Sequence, residues 1–128
     1  MTNLELTKAF LRSFETRDGT MLGYYAPDAV QREFPNALTK AGATRTAADL
    51  LRGMEAGLKS VREERYELVN LVAHGDEVAV EVIWTAVLNV GFGSLAPGAT
   101  MKAYLGIFLT WRDGKIVSQR NYDCIEPF

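Results

Sequence analysis

The sequence predicts an α+β domain, with helices from the first half covering one face of a curved antiparallel sheet built from the second. Two observations carry this expectation. Apolar residues recur at helical spacing as far as Val61 and at strand spacing after Arg65. Turn sequences containing glycine then cut the second half into long strands that follow one another directly, the pattern of an antiparallel meander.

Thr2 and Glu5 have the form of a capping box, and Leu6, Phe10 and Phe14, with Leu11 beside them, mark an amphipathic helix to about Thr16. Arg17, Asp18 and Gly19 break it. A short second helix is expected through Met21, Leu22 and Tyr25, ending at Pro27, and Ala29 to Phe34 reads as a strand stopped by Pro35. Asn36 to Arg45 is polar and reads as an exposed loop. Thr46 and Asp49 resemble another capping box, and Leu51, Met54, Leu58 and Val61 follow at helical spacing, which predicts a third helix. Arg65 to Ala73, Glu77 to Leu88, Met101 to Trp111 and Ile116 to Asp123 are the four predicted strands. His74-Gly75-Asp76 and Arg112-Asp113-Gly114 are tight hairpin connections, and Asn89 to Ala99 is a longer loop. With no repeat, linker or low-complexity tract, residues 1–128 are expected to form one domain.

At 128 residues, 48% hydrophobic and 23% charged, the chain can bury a core of its own. Its net charge of −2 and lack of a basic stripe give no footprint for nucleic acid. No stretch approaches the roughly 18 apolar residues of a membrane span, and MTNLELTKAF lacks the apolar run of a secretory leader. A single cysteine, Cys124, excludes an internal disulfide and suits a reducing compartment, so a cytoplasmic location is the default expectation. With one histidine (His74, in a turn) and one cysteine there is no metal set, and no serine or cysteine has the histidine partner of a nucleophilic triad. The glycine-rich GFGSLAPG leads into a strand, which excludes a phosphate cradle at a helix start and leaves a mobile loop near a pocket mouth.

Strand alternation sorts the remaining residues. One face of the Glu77 to Leu88 strand carries Val78, Val80, Val82, Trp84, Ala86 and Leu88; the other, with Ile83 and Val87, is also substantially apolar. In the next strand Tyr104, Gly106, Phe108 and Thr110 share one face, and Ala103, Leu105, Ile107, Leu109 and Trp111 the other. The first face of each strand is expected to meet the helices and the second a second copy of the chain, giving a homodimer through the outer sheet face. In the last strand Gln119, Asn121 and Asp123 point one way, and Arg120, Tyr122 and Cys124 the other.

Three stretches resemble the nuclear transport factor 2-like superfamily, which includes SnoaL-like polyketide cyclases, ketosteroid isomerases and limonene epoxide hydrolase. YYAPDAVQREFPN is similar to its second helix and first strand, GATRTAADLLRGM to the start of its third helix, and WRDGKIVSQRNYDCIEPF to its closing hairpin. The resemblance spans essentially the whole chain. It implies a cone of curved sheet with three helices around a deep pocket, and the SnoaL-like, ketosteroid isomerase-like branch is the one it resembles most. Laid on a ketosteroid isomerase, the chain keeps a carboxylate, Glu33, at the general-base position, while the oxyanion donors fall on Ala9 and Gly106. Laid on limonene epoxide hydrolase, the three charged catalytic positions fall on Val82, Trp84 and Asn121, and the water-holding pair on Gln31 and Glu33.

The resemblance turns the Gln119, Asn121, Asp123 face into the pocket, beside Gln31 and Glu33, with Trp84, Tyr104 and Phe108 as apolar walls. Glu33, short of water there, is expected to have a raised pKa and to act as a proton acceptor, with Asp123 and Asn121 assisting. Gln31 and Gln119 would fix the pose of a hydrophobic small molecule. The alternative for Glu33 is a salt bridge to Arg32, Arg45 or Arg120, and for Asp123 a structural hydrogen bond near the rim. The function implied is cofactor-independent acid–base chemistry of isomerase or cyclase type. A non-catalytic dimeric ligand-binding domain is the alternative.

Overall fold

A computed structural model describes residues 1–128. Helix α1 (Asn3–Thr16) starts where the Thr2 hydroxyl accepts a hydrogen bond from the Glu5 backbone N–H at 3.1 Å, and ends at Arg17 in the left-handed region. The expected second helix is a single 3₁₀ turn, Thr20–Tyr24. Gly19, at φ 84, sets its start, and Pro27 disfavours helical backbone before it, so the chain is extended from Tyr25 onward. Strand β1 (Tyr25–Glu33) follows, slipping register against its neighbour between Tyr25 and Val30, where Pro27 has no N–H to give.

The presumed loop Asn36 to Arg45 contains a strand, β2 (Ala43–Arg45), antiparallel to β1. Gly42 makes this approach possible: its φ is +69, and a Cβ there would stand 2.7 Å from the Glu33 carbonyl oxygen. Helix α2 (Ala47–Ser60) opens with the expected capping box between Thr46 and Asp49. The meander then runs through β3 (Val61–His74), β4 (Glu77–Leu88), β5 (Thr100–Arg112) and β6 (Lys115–Ile125). The sheet order is β2-β1-β6-β5-β4-β3, antiparallel except where β1 lies parallel to β6. No helix is long and apolar enough to cross a membrane.

The α1 helix lies across the inner face of the sheet. Phe10, fully buried, meets Phe14, Tyr24, Tyr25 and Trp111 edge-on with ring centroids 5.0 to 6.5 Å apart. The Trp111 indole N–H donates to the Thr7 hydroxyl at 3.0 Å, so the polar edge of this ring is satisfied.

Strand parity holds in β4 and β6 and is inverted in β5. Val78, Val80, Val82, Ala86 and Leu88 are buried on the inner face as expected. The β4–β5 register pairs Val82 with Leu105 and Trp84 with Ala103, so Ile107, Leu109 and Trp111, expected outside, are core. Tyr104 and Phe108, expected as pocket walls, stand on the outer face, 44% and 42% exposed. The physical reason is charge. Lys102 and Arg112 share the face of Tyr104 and Phe108, whereas the row from Met101 to Trp111 has none, so turning the aromatic row inward would bury two cations. Cys124 shares that outer face and is exposed.

Candidate functional site

Because β1 and β6 are parallel neighbours, Gln31 lies beside Gln119 and Glu33 beside Asn121. On the other side of β6, Leu105 of β5 pairs with Asp123 and Ile107 with Asn121. Two polar rows thus meet two apolar ones on the inner face. They border a cavity of about 260 Å³ whose lining includes Gln31, Glu33, Gln119, Asn121 and Asp123, with Phe10, Phe14, Trp84 and Tyr66. The structure brings together these five polar side chains and Trp84; Tyr104 and Phe108 lie outside the cavity. The Asn89 to Ala99 connection, expected at the mouth, contributes no lining residue.

The two carboxylates behave oppositely. Burial pushes the Glu33 pKa up, but hydrogen bonds from Asn36, Thr39 and Arg45, together with the Arg45 charge, outweigh it, and the net direction is down. Asn36 Nδ2 donates to Glu33 at 2.7 Å, and Arg45 Nη1 donates to Glu33 at 2.8 Å and to Gln31 at 2.9 Å. The expected elevation of Glu33 is therefore corrected: it is an ion-paired anion, and of the three arginines considered Arg45 is the partner. Asp123 carries the elevation instead. Burial, then the negative charge of Glu33, raise it from 3.8 to about 6, against smaller lowering effects of Asn121 and Arg45.

A hydrogen-bond chain ends at Asp123. The Tyr25 hydroxyl donates to Gln119 Oε1 at 2.5 Å, Gln119 Nε2 donates to Asn121 Oδ1 at 2.8 Å, and Asn121 Nδ2 donates to Asp123 Oδ1 at 3.4 Å. Gln119 is only 3% exposed, so its amide orientation is held by these partners.

A second cavity, of about 290 Å³, lies between α2, the end of α1 and β3, and shares Phe14, Gln31 and Tyr66 with the first. Glu64 lines it, 3.7 Å from the Arg17 guanidinium. Burial raises its pKa, against the Arg17 charge and hydrogen bonds from Trp84 and Tyr66, with Glu15 adding to the rise. Sequence reasoning named Arg45 only as a possible partner of Glu33 and missed Tyr25, Glu64 and Tyr66. For two of them a signal existed: Glu64, Tyr66 and Leu68 alternate along β3 opposite Ala86, Trp84 and Val82, the inner face of β4.

No curated protein matches the chain significantly. Among solved structures, the chain is similar to IdmH, a candidate polyketide cyclase from Streptomyces antibioticus, at TM-score 0.80 and 20% identity, over 96% of this chain and 92% of that one. It is similar to AclR, a candidate hydroxylase from Streptomyces galilaeus, at 0.79 and 23%, over 96% and 79%. A protein of ketosteroid isomerase-like fold from Catenulispora acidiphila, solved with trimethylamine, matches at 0.75 and 16%, over 94% and 86%. At these identities the likeness establishes the fold, the α+β cone expected from the resemblance, with a 3₁₀ turn in place of its second helix. The SnoaL-like domain model matches residues 7–119, which is most of the chain, and the protein therefore belongs to the SnoaL-like family.

Proposed function

We propose that the protein is a small-molecule enzyme using cofactor-independent acid–base chemistry, of isomerase or cyclase type, on a hydrophobic substrate held in the inner cavity. The observation that carries this reading is Asp123, a half-buried carboxyl with a pKa raised to about 6 at a cavity wall that is half apolar. Near neutral pH such a group is mostly ionised yet basic enough to take a proton from carbon next to a carbonyl. In that step the C–H bond breaks, its proton moves to Asp123, and the electron pair moves onto the carbonyl oxygen as an enolate. Where the substrate carries a C=C bond beyond the reacting carbon, the anion is a dienolate, and Asp123 returns the proton to its far carbon as the C=O bond re-forms and the C=C bond moves into conjugation with it. Asn121, Gln119 and Gln31 orient the ligand and Trp84 stacks on it. Glu33 is the like-charged neighbour that keeps Asp123 basic rather than the base itself.

The test is α-proton exchange of 2-tetralone, a bicyclic ketone, followed by proton NMR in heavy water. The wild-type protein is expected to accelerate exchange, and Asp123→Asn to abolish the acceleration while still binding the ketone. Exchange unaffected by Asp123→Asn would refute the assignment. One observation favours the second reading, a non-catalytic ligand-binding domain: every buried polar side-chain atom has a partner within the protein. That reading predicts binding of the ketone without exchange.

We also infer self-association through the outer sheet face. Tyr104, Phe108 and Tyr122 are 42% to 48% exposed there, and Phe34 stacks on Tyr122 with centroids 4.5 Å apart. Arg32 lies over Phe34 and Arg120 over Phe108, while Glu77 and Glu81 lie on the same face, so a two-fold partner finds both apolar and opposite-charge contacts. Sedimentation should show a dimer at micromolar concentration and a monomer for Phe108→Glu. A wild-type monomer refutes the inference.

A further inference from the structure

We propose that Tyr25 is a positioning residue for Asp123: through Gln119 and Asn121 its hydroxyl fixes the direction of a hydrogen-bond chain that favours the ionised carboxylate. This rests on the acid–base reading of Asp123.

An ionised carboxylate can only accept, so Asn121 must turn Nδ2 toward Asp123, which leaves its Oδ1 facing Gln119. Gln119 must then present Nε2 to Asn121 and Oε1 to Tyr25, and the phenol must donate. The observed contacts follow this order throughout. In the reverse order a protonated Asp123 would donate to Asn121 Oδ1, both amides would flip, and Gln119 Nε2 would donate to the Tyr25 oxygen. The phenol proton would then have no protein acceptor, because its only hydrogen bond is the one to Gln119. Burial also opposes loss of that proton. A phenol whose proton has no other protein acceptor therefore biases the whole chain toward the polarity that serves a carboxylate, from a residue three hydrogen bonds away.

Other groups face Asp123 and set its baseline. Glu33 on β1 disfavours ionisation, Arg45 on β2 favours it, and the Tyr66 phenol on β3 lies within electrostatic reach. The facing positions of β5 and β4, Leu105 and Trp84, are uncharged, as are Phe10 and Phe14 of α1. None of these groups changes in a Tyr25→Phe variant, so a shift in that variant reports the chain alone.

The experiment is a carbon-13 NMR titration of the aspartate carboxyls in the ligand-free protein, with the Asp123 signal assigned by its loss in Asp123→Asn. In Tyr25→Phe the chain is free to reverse, and the Asp123 midpoint is expected to rise by about one pH unit. Gln119→Leu, which cuts the chain in the middle and keeps an apolar filler, should raise it similarly. The double variant should move it no further than either single change. A midpoint that stays in place or falls in a folded Tyr25→Phe or Gln119→Leu protein overturns the proposal, and so does additivity in the double variant. The titration needs no turnover, which separates the two ideas. Shifted midpoints without Asp123-dependent exchange of 2-tetralone would remove the enzymatic reading and leave the chain standing; unshifted midpoints with such exchange would do the opposite.

Discussion

Asp123→Asn should make the folded protein more stable at neutral pH and leave its stability unchanged in acid. The folded-state pKa of Asp123, about 6, lies above the ordinary 3.8, so between those values the native state binds the extra proton. Stability contributed by this group is present below about 4, is lost as pH rises through the window to about 6, and stays lost above it. Two pH units at about 1.36 kcal/mol each set an upper bound near 3 kcal/mol, and water reaching a partly buried carboxyl trims this to about 1–2 kcal/mol. Asparagine cannot ionise, yet its carbonyl oxygen still accepts from Asn121, so the substitution removes the charge and keeps the contact. Urea unfolding of both proteins from about pH 4 to about pH 8 measures the difference, provided the m-values agree. The gap should open from near zero in acid to about 1–2 kcal/mol at neutral pH. Glu33 titrates in both proteins and largely cancels in the comparison. A variant less stable than wild type at neutral pH, or a gap independent of pH, would refute the argument that Asp123 is held in an unfavourable ionised state.

Glu33→Gln should act in the opposite direction, destabilising by about 1–2 kcal/mol at neutral pH, because it removes a charged hydrogen bond from Arg45 in a partly buried setting. Its lowered pKa means that this contribution is present above the ordinary carboxylate range and is lost as pH falls, so the penalty should shrink in acid melts. Gly57→Ala should stabilise by about 0.5–1 kcal/mol in a thermal or urea melt, since alanine has the better helix propensity and its Cβ would meet nothing within 4 Å. Trp111→Phe should cost about 2–3 kcal/mol, combining lost core volume with a buried Thr7 hydroxyl deprived of its indole donor, and chemical denaturation would measure it.

The parts of the fold that local chemistry determines were readable directly. Thr2 and Thr46 cap the two helices as their sequences indicate, and the alternation of β4 and β6 places Val78 to Leu88 and Gln119 to Asp123 on the inner face. The parity of β5 was less accessible, because it depends on how far the chain travels through the Asn89 to Ala99 connection before pairing, and a one-residue slip exchanges the two faces. Aromatic content pointed to Tyr104 and Phe108. The better guide was the position of Lys102 and Arg112, since a strand face bearing two cations is the costlier one to bury.

The site shows the same division between local and distant causes. Glu33 and Asp123 come from strands that neighbour one another, and β-alternation alone brings both into one cavity. Which of them ionises easily is decided elsewhere, by β2, three residues inside a stretch that reads as polar loop. Its pairing with β1 sets Arg45 opposite Gln31, from where the guanidinium reaches Glu33, and it depends on Gly42 tolerating a close approach that any side chain would block. Once Arg45 holds Glu33 as an anion, Asp123 is left with partial burial and a negative neighbour, which raise its proton affinity by more than the Asn121 donor and the Arg45 charge lower it. Which of the two carboxylates holds a proton more tightly thus follows from the short edge strand more than from either carboxylate's own surroundings in sequence. Changes in β2 that move Arg45 away should raise the proton affinity of Glu33 and, by leaving the two acids to share charge, couple their titrations.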